Sequence, residues 1–177
     1  MNFKLIEPSI RLEKSFNNYI SEWESTTENI VPFASRRNGL SYTELLENWK
    51  NNKTDKVYEK GFVPSTLYFL VDDTEKIYGA LHFRHELNEF LLRTGGHIGY
   101  GIRPTLRQQG YATIMLSLAL PIAKKFGLDK VLITCDKNNI SSAKTITKNG
   151  GVFENQVFDN GEFTQRYWID LFPIVVY

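Results

Sequence analysis

A mixed α/β fold of the α+β kind, a mostly antiparallel sheet with helices on both faces, follows from three observations. The chain has 177 residues, about 1.2 domains at roughly 150 residues each, so a single domain over residues 1–177 is expected. Hydrophobic residues make up 42% and charged residues 23%, too apolar and too balanced for a disordered chain. The order of predicted elements is strand, helices, antiparallel strands, then strand, helix, strand, helix, strand, which excludes a doubly wound sheet.

The opening strand is Phe3 to Ile6, and helical periodicity follows over Ile10 to Trp23 and Tyr42 to Lys50, with Ser41 placed as an N-cap. Between the helices an irregular loop, Glu28 to Leu40, is long enough to be a binding element. Ser65 to Val71 and Ile77 to Phe83 are dense in β-formers and flank the polar turn Asp72 to Lys76, which predicts a hairpin. His97 to Ile102 is a third strand, ended by Pro104 because proline cannot donate to a ladder.

From Gly110 to Phe126, Ala112, Met115, Leu116, Ala119, Leu120 and Ala123 recur at helical spacing, with Gly127 as a C-terminal cap. Pro121 predicts a bend or an early end near Leu118. Lys130 to Cys135 is a buried strand, Ser141 to Lys148 a helix closed by Asn149, Gly150 and Gly151, and Val152-Phe153 and Phe163 to Leu171 are further strands. Trp23, Trp49 and Trp168 read as packing residues.

Composition restricts the partners. Twenty-one basic against twenty acidic residues leave +1, so no nucleic acid and no anionic membrane is expected as the main partner, and an anionic ligand must be bound locally. No run approaches the ~18 apolar residues of a membrane span. Met1-Asn2-Phe3-Lys4 lacks a signal-peptide core and Cys135 stands alone, so a cytoplasmic location without disulfides is expected. His82 and His85 are three apart on a strand and face opposite sides, so no metal site is expected. A homodimer is allowed, through Phe163 to Leu171 as an edge strand or the apolar tail Ile174 to Tyr177.

The informative stretch runs from Ile102 to Ala112: a strand ends, a short loop with Arg103 and Arg107 follows, and a helix begins at Gly110. Backbone N–H groups at a helix N-terminus are unsatisfied and the helix dipole is positive there, so a phosphate is stabilised if the chain can approach it. Gly110 permits that approach, Ala112 keeps the first turn uncrowded, and the two arginines add charge. An ordinary strand-to-helix connection has the same elements.

Arg107-x-x-Gly110-x-Ala112 between a strand and a helix resembles the acyl-CoA pyrophosphate loop of the GNAT superfamily, Gln/Arg-x-x-Gly-x-Gly/Ala. The hairpin before it, the strand Leu132 to Asp136 after the helix, Asn139-x-x-Ser142 and Gly150-Gly151 extend the resemblance over about residues 3–171. Gly96 to Pro104 looks like the bacterial predicted-acetyltransferase branch.

The resemblance implies a splayed central strand pair, with pantetheine lying between the strand ending at Ile102 and the strand Val131 to Cys135. It further implies acetyl-CoA as co-substrate, backbone groups around Ile102 holding the pantetheine, and Arg107, Gln108, Gln109, Gly110, Tyr111, Ala112 and Thr113 holding the pyrophosphate. Asn139, Ser142 and Lys144 would lie near the cofactor, although Asn139 equally suits a helix N-cap. Tyr100 and Tyr111 are further candidates to line the gap.

The implied reaction is direct attack by an amine of a small molecule or peptide on the thioester. The amine must first lose a proton, the oxyanion needs donors and the leaving thiolate needs a proton. Many family members supply the last from a tyrosine on the final helix, whose place here is taken by Ile146. His97, near where many members carry a glutamate, is the candidate base, with a satisfied or exposed structural histidine as the alternative. His85, Glu86 and Glu89 are rivals for that part or for substrate binding, and residues 28–40 and 84–95 are the expected substrate walls. The alternative activity is a catalytically silent acyl-CoA-binding domain. A nucleotide-dependent enzyme is disfavoured by the lack of Gly-x-x-x-x-Gly-Lys-Ser/Thr and of Gly-x-Gly-x-x-Gly.

Overall fold

A computed structural model describes residues 2–172. Its strands form two antiparallel sheets. The first has the order β1 (Lys4–Ile6), β2 (Ser65–Val71), β3 (Ile77–Arg84), β4 (Ile98–Ile102), and the second the order β5 (Lys130–Asp136), β7 (Glu162–Asp170), β6 (Val152–Asp159). No ladder joins β4 to β5, so the central strand pair is splayed.

The helices α1 (Glu13–Glu24) and α2 (Tyr42–Asn51) cover one face of the first sheet. Leu12, Phe16, Tyr19, Ile20, Trp23, Leu45 and Trp49 pack there on Leu67, Phe69, Val71, Ile77 and Ala80. The helix α1 is entered through a 3₁₀ turn, Ile10–Leu12. Ser41 caps α2 in a reciprocal capping box with Glu44. On the other face, α3 (Tyr111–Lys125) and α4 (Ile140–Lys148) bury Met115, Leu116, Ala119, Ala123 and Ile146 against Leu81, Phe83, Ile98, Val131 and Ile133.

Two expectations are corrected. Helix α3 runs through Pro121 to Lys125 rather than ending near Leu118. Pro121 and Ser117, whose carbonyl loses its donor, both lie on the exposed side. Water can satisfy that carbonyl, while buried Met115, Leu116, Ala119 and Ala123 hold the opposite side in place. The second correction concerns the last strand. β7 is the middle strand of its sheet, with both edges paired, and cannot be the edge that meets a second subunit. The sheet's outer edge, the one away from β4, belongs to β6, which extends well beyond Val152-Phe153 to Asp159. The tail Ile174 to Tyr177 lies outside the described residues. Among the described residues no helix is long and apolar enough to cross a membrane, and no group of three His, Cys, Asp or Glu side chains is arranged to hold a metal.

Candidate active site

Alternation in the two flanking ladders decides what the cleft between β4 and β5 presents. Arg84 N–H donates to the His97 carbonyl and Arg103 N–H to the Tyr78 carbonyl, so the odd-numbered residues of β4 face β3. The peptide groups of Ile98, Tyr100 and Ile102 therefore point into the cleft. Across it, Lys137 N–H bonds Phe163 and Leu171 N–H bonds Asp129, which turns the peptide groups of Leu132, Thr134 and Asp136 inward. The walls of the cleft are thus two strand edges with unspent donors and acceptors.

The cleft closes at His97. Its N–H donates to the Leu132 carbonyl at 2.7 Å, and its Nδ1 accepts from Leu132 N–H at 2.9 Å. The imidazole replaces a ladder carbonyl and pins the two sheets edge to edge. The ring is 5% exposed and stacks edgewise near Trp168. Burial, with Arg84 nearby, pushes its pKa down to about 4. In the neutral ring that this bond requires, the one lone pair is already engaged by Leu132, so the geometry gives His97 the part of a latch rather than of a base.

This latch carries a pH dependence. An unfolded histidine titrates near 6.5 and the folded one near 4, so the unfolded chain binds the extra proton in that window. The contribution is complete above about pH 6.5 and is lost as the pH falls toward 4. The unfolding free energy from urea titration is expected to drop between pH 7.5 and 4.5, with roughly 2–3 kcal/mol of the loss absent from His97→Gln. Buried His82, held down to about 3, adds a loss of the same sign that both proteins retain.

At the open end of the cleft, Gly110 (φ 86°) and Gln108 (φ 61°) turn the chain into α3. Residues 108–110 are exposed, and the N–H groups of Gln108, Gln109, Gly110, Tyr111, Ala112 and Thr113 find no partner among the described residues. The first helical bond there runs from Ile114 N–H to the Gly110 carbonyl. A β-carbon on Gly110 would meet no atom within 4 Å, so the space over these donors is open. Such a set of donors at a helix N-terminus fits a pyrophosphate.

The arginines do not contribute to it as expected. Arg103 is buried, with Nε at 2.6 Å from Glu22, Nη2 paired to the same carboxylate and Nη1 on the Ile77 carbonyl. Arg107 pairs with Glu28 at 2.8 Å, lies over the Trp23 ring at 4.9 Å and reaches the Ile102 carbonyl with Nε at 3.3 Å. Both guanidiniums tie α1 and the loop after it to the end of β4, and the cradle itself is made of backbone. The ring of Tyr111 also turns away from the cleft, against Phe3 and Tyr78.

The far wall is the start of α4. Asn139 accepts from Ser142 N–H at 3.0 Å as the N-cap. The Tyr100 hydroxyl, reaching from β4, lies 2.9 Å from Ser142 Oγ. Burial pushes the Tyr100 pKa up to about 12, so the phenol keeps its proton. Ile146 packs in the core against Gly151, and Lys144 is exposed. Of the rival bases, His85 bonds Thr66 at 2.8 Å and stacks on Phe126 at the end of α3, while Glu86 accepts from the Tyr58 hydroxyl and Glu89 is exposed.

Known proteins agree with this architecture. The family model for the acetyltransferase (GNAT) domain matches residues 10–152. No curated protein matches by sequence. Among solved structures, a spermidine N-acetyltransferase chimera from Vibrio cholerae and a human enzyme is similar at 15% identity and TM-score 0.64, covering 97% of this chain and 96% of its own. The ribosomal L7/L12 α-N-protein acetyltransferase RimL in complex with coenzyme A is similar at 14% identity and TM-score 0.66, over 97% and 95%. The microcin C7 self-immunity acetyltransferase MccE in complex with acetyl-CoA and AMP is similar at 16% identity and TM-score 0.62, over 95% and 92%. At these identities the likeness is one of fold.

Proposed function

The chain belongs to the acetyltransferase (GNAT) domain family, and from that premise we propose that it transfers the acetyl group of acetyl-CoA to an amine of a small molecule or peptide. The observation that carries this reading is the run of six N–H groups, Gln108 to Thr113, without a partner among the described residues, at the mouth of a cleft walled by two strand edges that no ladder joins. The N–H groups would hold the pyrophosphate, and the inward peptide groups of β4, Tyr100 and Ile102 among them, would hold the pantetheine. Neighbours of the same fold that carry coenzyme A or acetyl-CoA support the same assignment.

Acetyl-CoA supplies an activated thioester whose carbonyl takes the amine and whose sulfur leaves as thiolate. The protein's part is positional and electrostatic. Backbone N–H groups of β4 aimed into the cleft are fixed donors for a developing oxyanion. With Ser142 Oγ as donor of the bond they share, the Tyr100 hydroxyl would take the place of the helix tyrosine that Ile146 replaces and would donate its own proton toward the leaving sulfur. Of the candidate bases, His97 has its lone pair engaged by Leu132 and Glu86 accepts from Tyr58, so in this reading the proton of the amine leaves through water.

Thermal unfolding with acetyl-CoA, CoA, ATP and NADH tests the reading. At a hundred times its dissociation constant a ligand adds about 2.7 kcal/mol, roughly 5–10 °C for a domain of this size. A shift with the two CoA species alone, followed by amine-dependent release of free thiol, is the expected result. A shift without thiol release would mean a silent binder, and no shift with either CoA species would refute the assignment.

A further inference from the structure

The face of β4 away from α3 and α4 carries a recess that the acyl-transfer reading leaves unused. At Gly101 the loop of residues 28–40 presses so closely that a β-carbon would collide with the Val31 carbonyl. At Gly99 the wall is different: a β-carbon would meet Nη2 of Arg84 at 3.7 Å, Nη1 at 3.8 Å and Cβ of Pro32 at 3.9 Å, ordinary contact distances. The glycine thus leaves a space about one methyl group wide, bounded by a guanidinium and a proline, next to Tyr100 on the strand that lines the cleft.

Arg84 differs from most of the partly or fully buried arginines. Arg103, Arg107 and Arg166 are each paired with a glutamate, and Arg36, which meets no carboxylate either, belongs to the loop, with Nε on the Ile30 carbonyl and its guanidinium over Phe33. Arg84 gives Nη1 to the carbonyls of Gly95 and Gly96 at 2.9 and 3.1 Å and, among the described residues, meets no carboxylate. It is largely withdrawn from water, enough that burial lowers its pKa, and no acid acts on it. On the same face stand His82 and His97, both neutral, in part because of the Arg84 charge. A cation kept out of water without a counter-charge is costly, and an anion arriving with a ligand would remove that cost. Carboxylates do not make the nearby loop a cation site either, since Glu24 and Glu28 are paired to Arg37 and Arg107.

We propose that Arg84, facing the recess at Gly99, receives an anionic group of the acceptor, so that the acceptor is an amine bearing a carboxylate or phosphonate a few bonds from its nitrogen, as in an amino acid, and not a polyamine. This rests on the acetyltransferase reading. The same guanidinium disfavours an ammonium beside it and so helps the acceptor reach its nucleophilic free-base form.

Matched acceptors test it: β-alanine and 2-aminoethylphosphonate against ethylamine, L-phenylalanine against 2-phenylethylamine, and spermidine alone. The anionic member of a pair is expected to have at least a tenfold higher kcat/KM, and the carboxylate and phosphonate arms identify which anion fits. Arg84→Gln, and Gly99→Ala, which keeps the arginine but fills the recess, are expected to erase the preference mainly through KM. Calorimetric titration of the CoA-saturated protein with each pair reads the same preference without turnover. Equal or better use of the amines without an anion, a preference for spermidine, or an equal loss on all acceptors in both variants would overturn the proposal. Failure to bind acetyl-CoA at all would instead refute the reading beneath it.

Discussion

Gly110→Val is expected to weaken acetyl-CoA binding about a hundredfold, equivalent to about 2.8 kcal/mol. Two costs combine. Gly110 has φ 86°, a conformation that a β-branched residue enters only with strain of order 1–3 kcal/mol. Relieving that strain moves the peptide groups on either side, which are the unpartnered donors of Gln108 to Thr113. The open space over Gly110 is also where an anion must approach, and two methyl groups would stand in it. Alanine at this position should lose less, about tenfold, because the steric part shrinks while the φ remains. Calorimetry on the folded variants checks this, and an affinity within twofold of the wild type would show that the cradle does not hold the pyrophosphate.

The sequence made this loop visible because its signal is local. A strand, a glycine needing positive φ and an apolar helical stripe lie within a few residues of one another, and the hairpin and the Ser41 cap were legible for the same reason. What escaped was written at long range. The glutamates that take up Arg103 and Arg107 lie roughly eighty positions earlier on α1 and the loop after it, so the spacing that suggested cationic help for an anion could not reveal that the charge was already spent. The sequence predicts strand β6 only at its first two residues, Val152 and Phe153. Glu154, Asn155 and Gln156 are polar and exposed, a bulge breaks the alternation there, and an edge strand with neither face covered has no periodic apolar signature.

His97 is a case between the two. Its place at the head of the third strand is legible, but the sequence does not decide between base and structural histidine, because the decisive partner is the backbone N–H of Leu132, a group that every residue type but proline carries. Arg84 likewise carries no local signal among the polar residues 84–95. What sets it apart is that no acid among the described residues meets it, and only packing reveals that.

Tyr100→Phe is expected to lower kcat about a hundredfold with little change in affinity for acetyl-CoA. The tyrosine that many relatives place on the last helix is replaced here by Ile146, whose side chain is fully buried. A hydroxyl reaches the same cleft from the opposite wall, and its 2.9 Å bond to Ser142 fixes it there. With its pKa pushed up to about 12, the phenol is protonated at every working pH, so under the proposed mechanism it would act as a standing donor to the developing thiolate. Such donors contribute about 10²–10³ in rate. Ser142→Ala leaves the phenol in place but unanchored and should lose about tenfold, a loss of the size that misorientation brings. The two hydroxyls work as one unit, so the double variant should be no slower than Tyr100→Phe alone. Additive losses, or a kcat within twofold for Tyr100→Phe, would send the leaving thiolate to water for its proton and leave Tyr100 as a strut between β4 and α4.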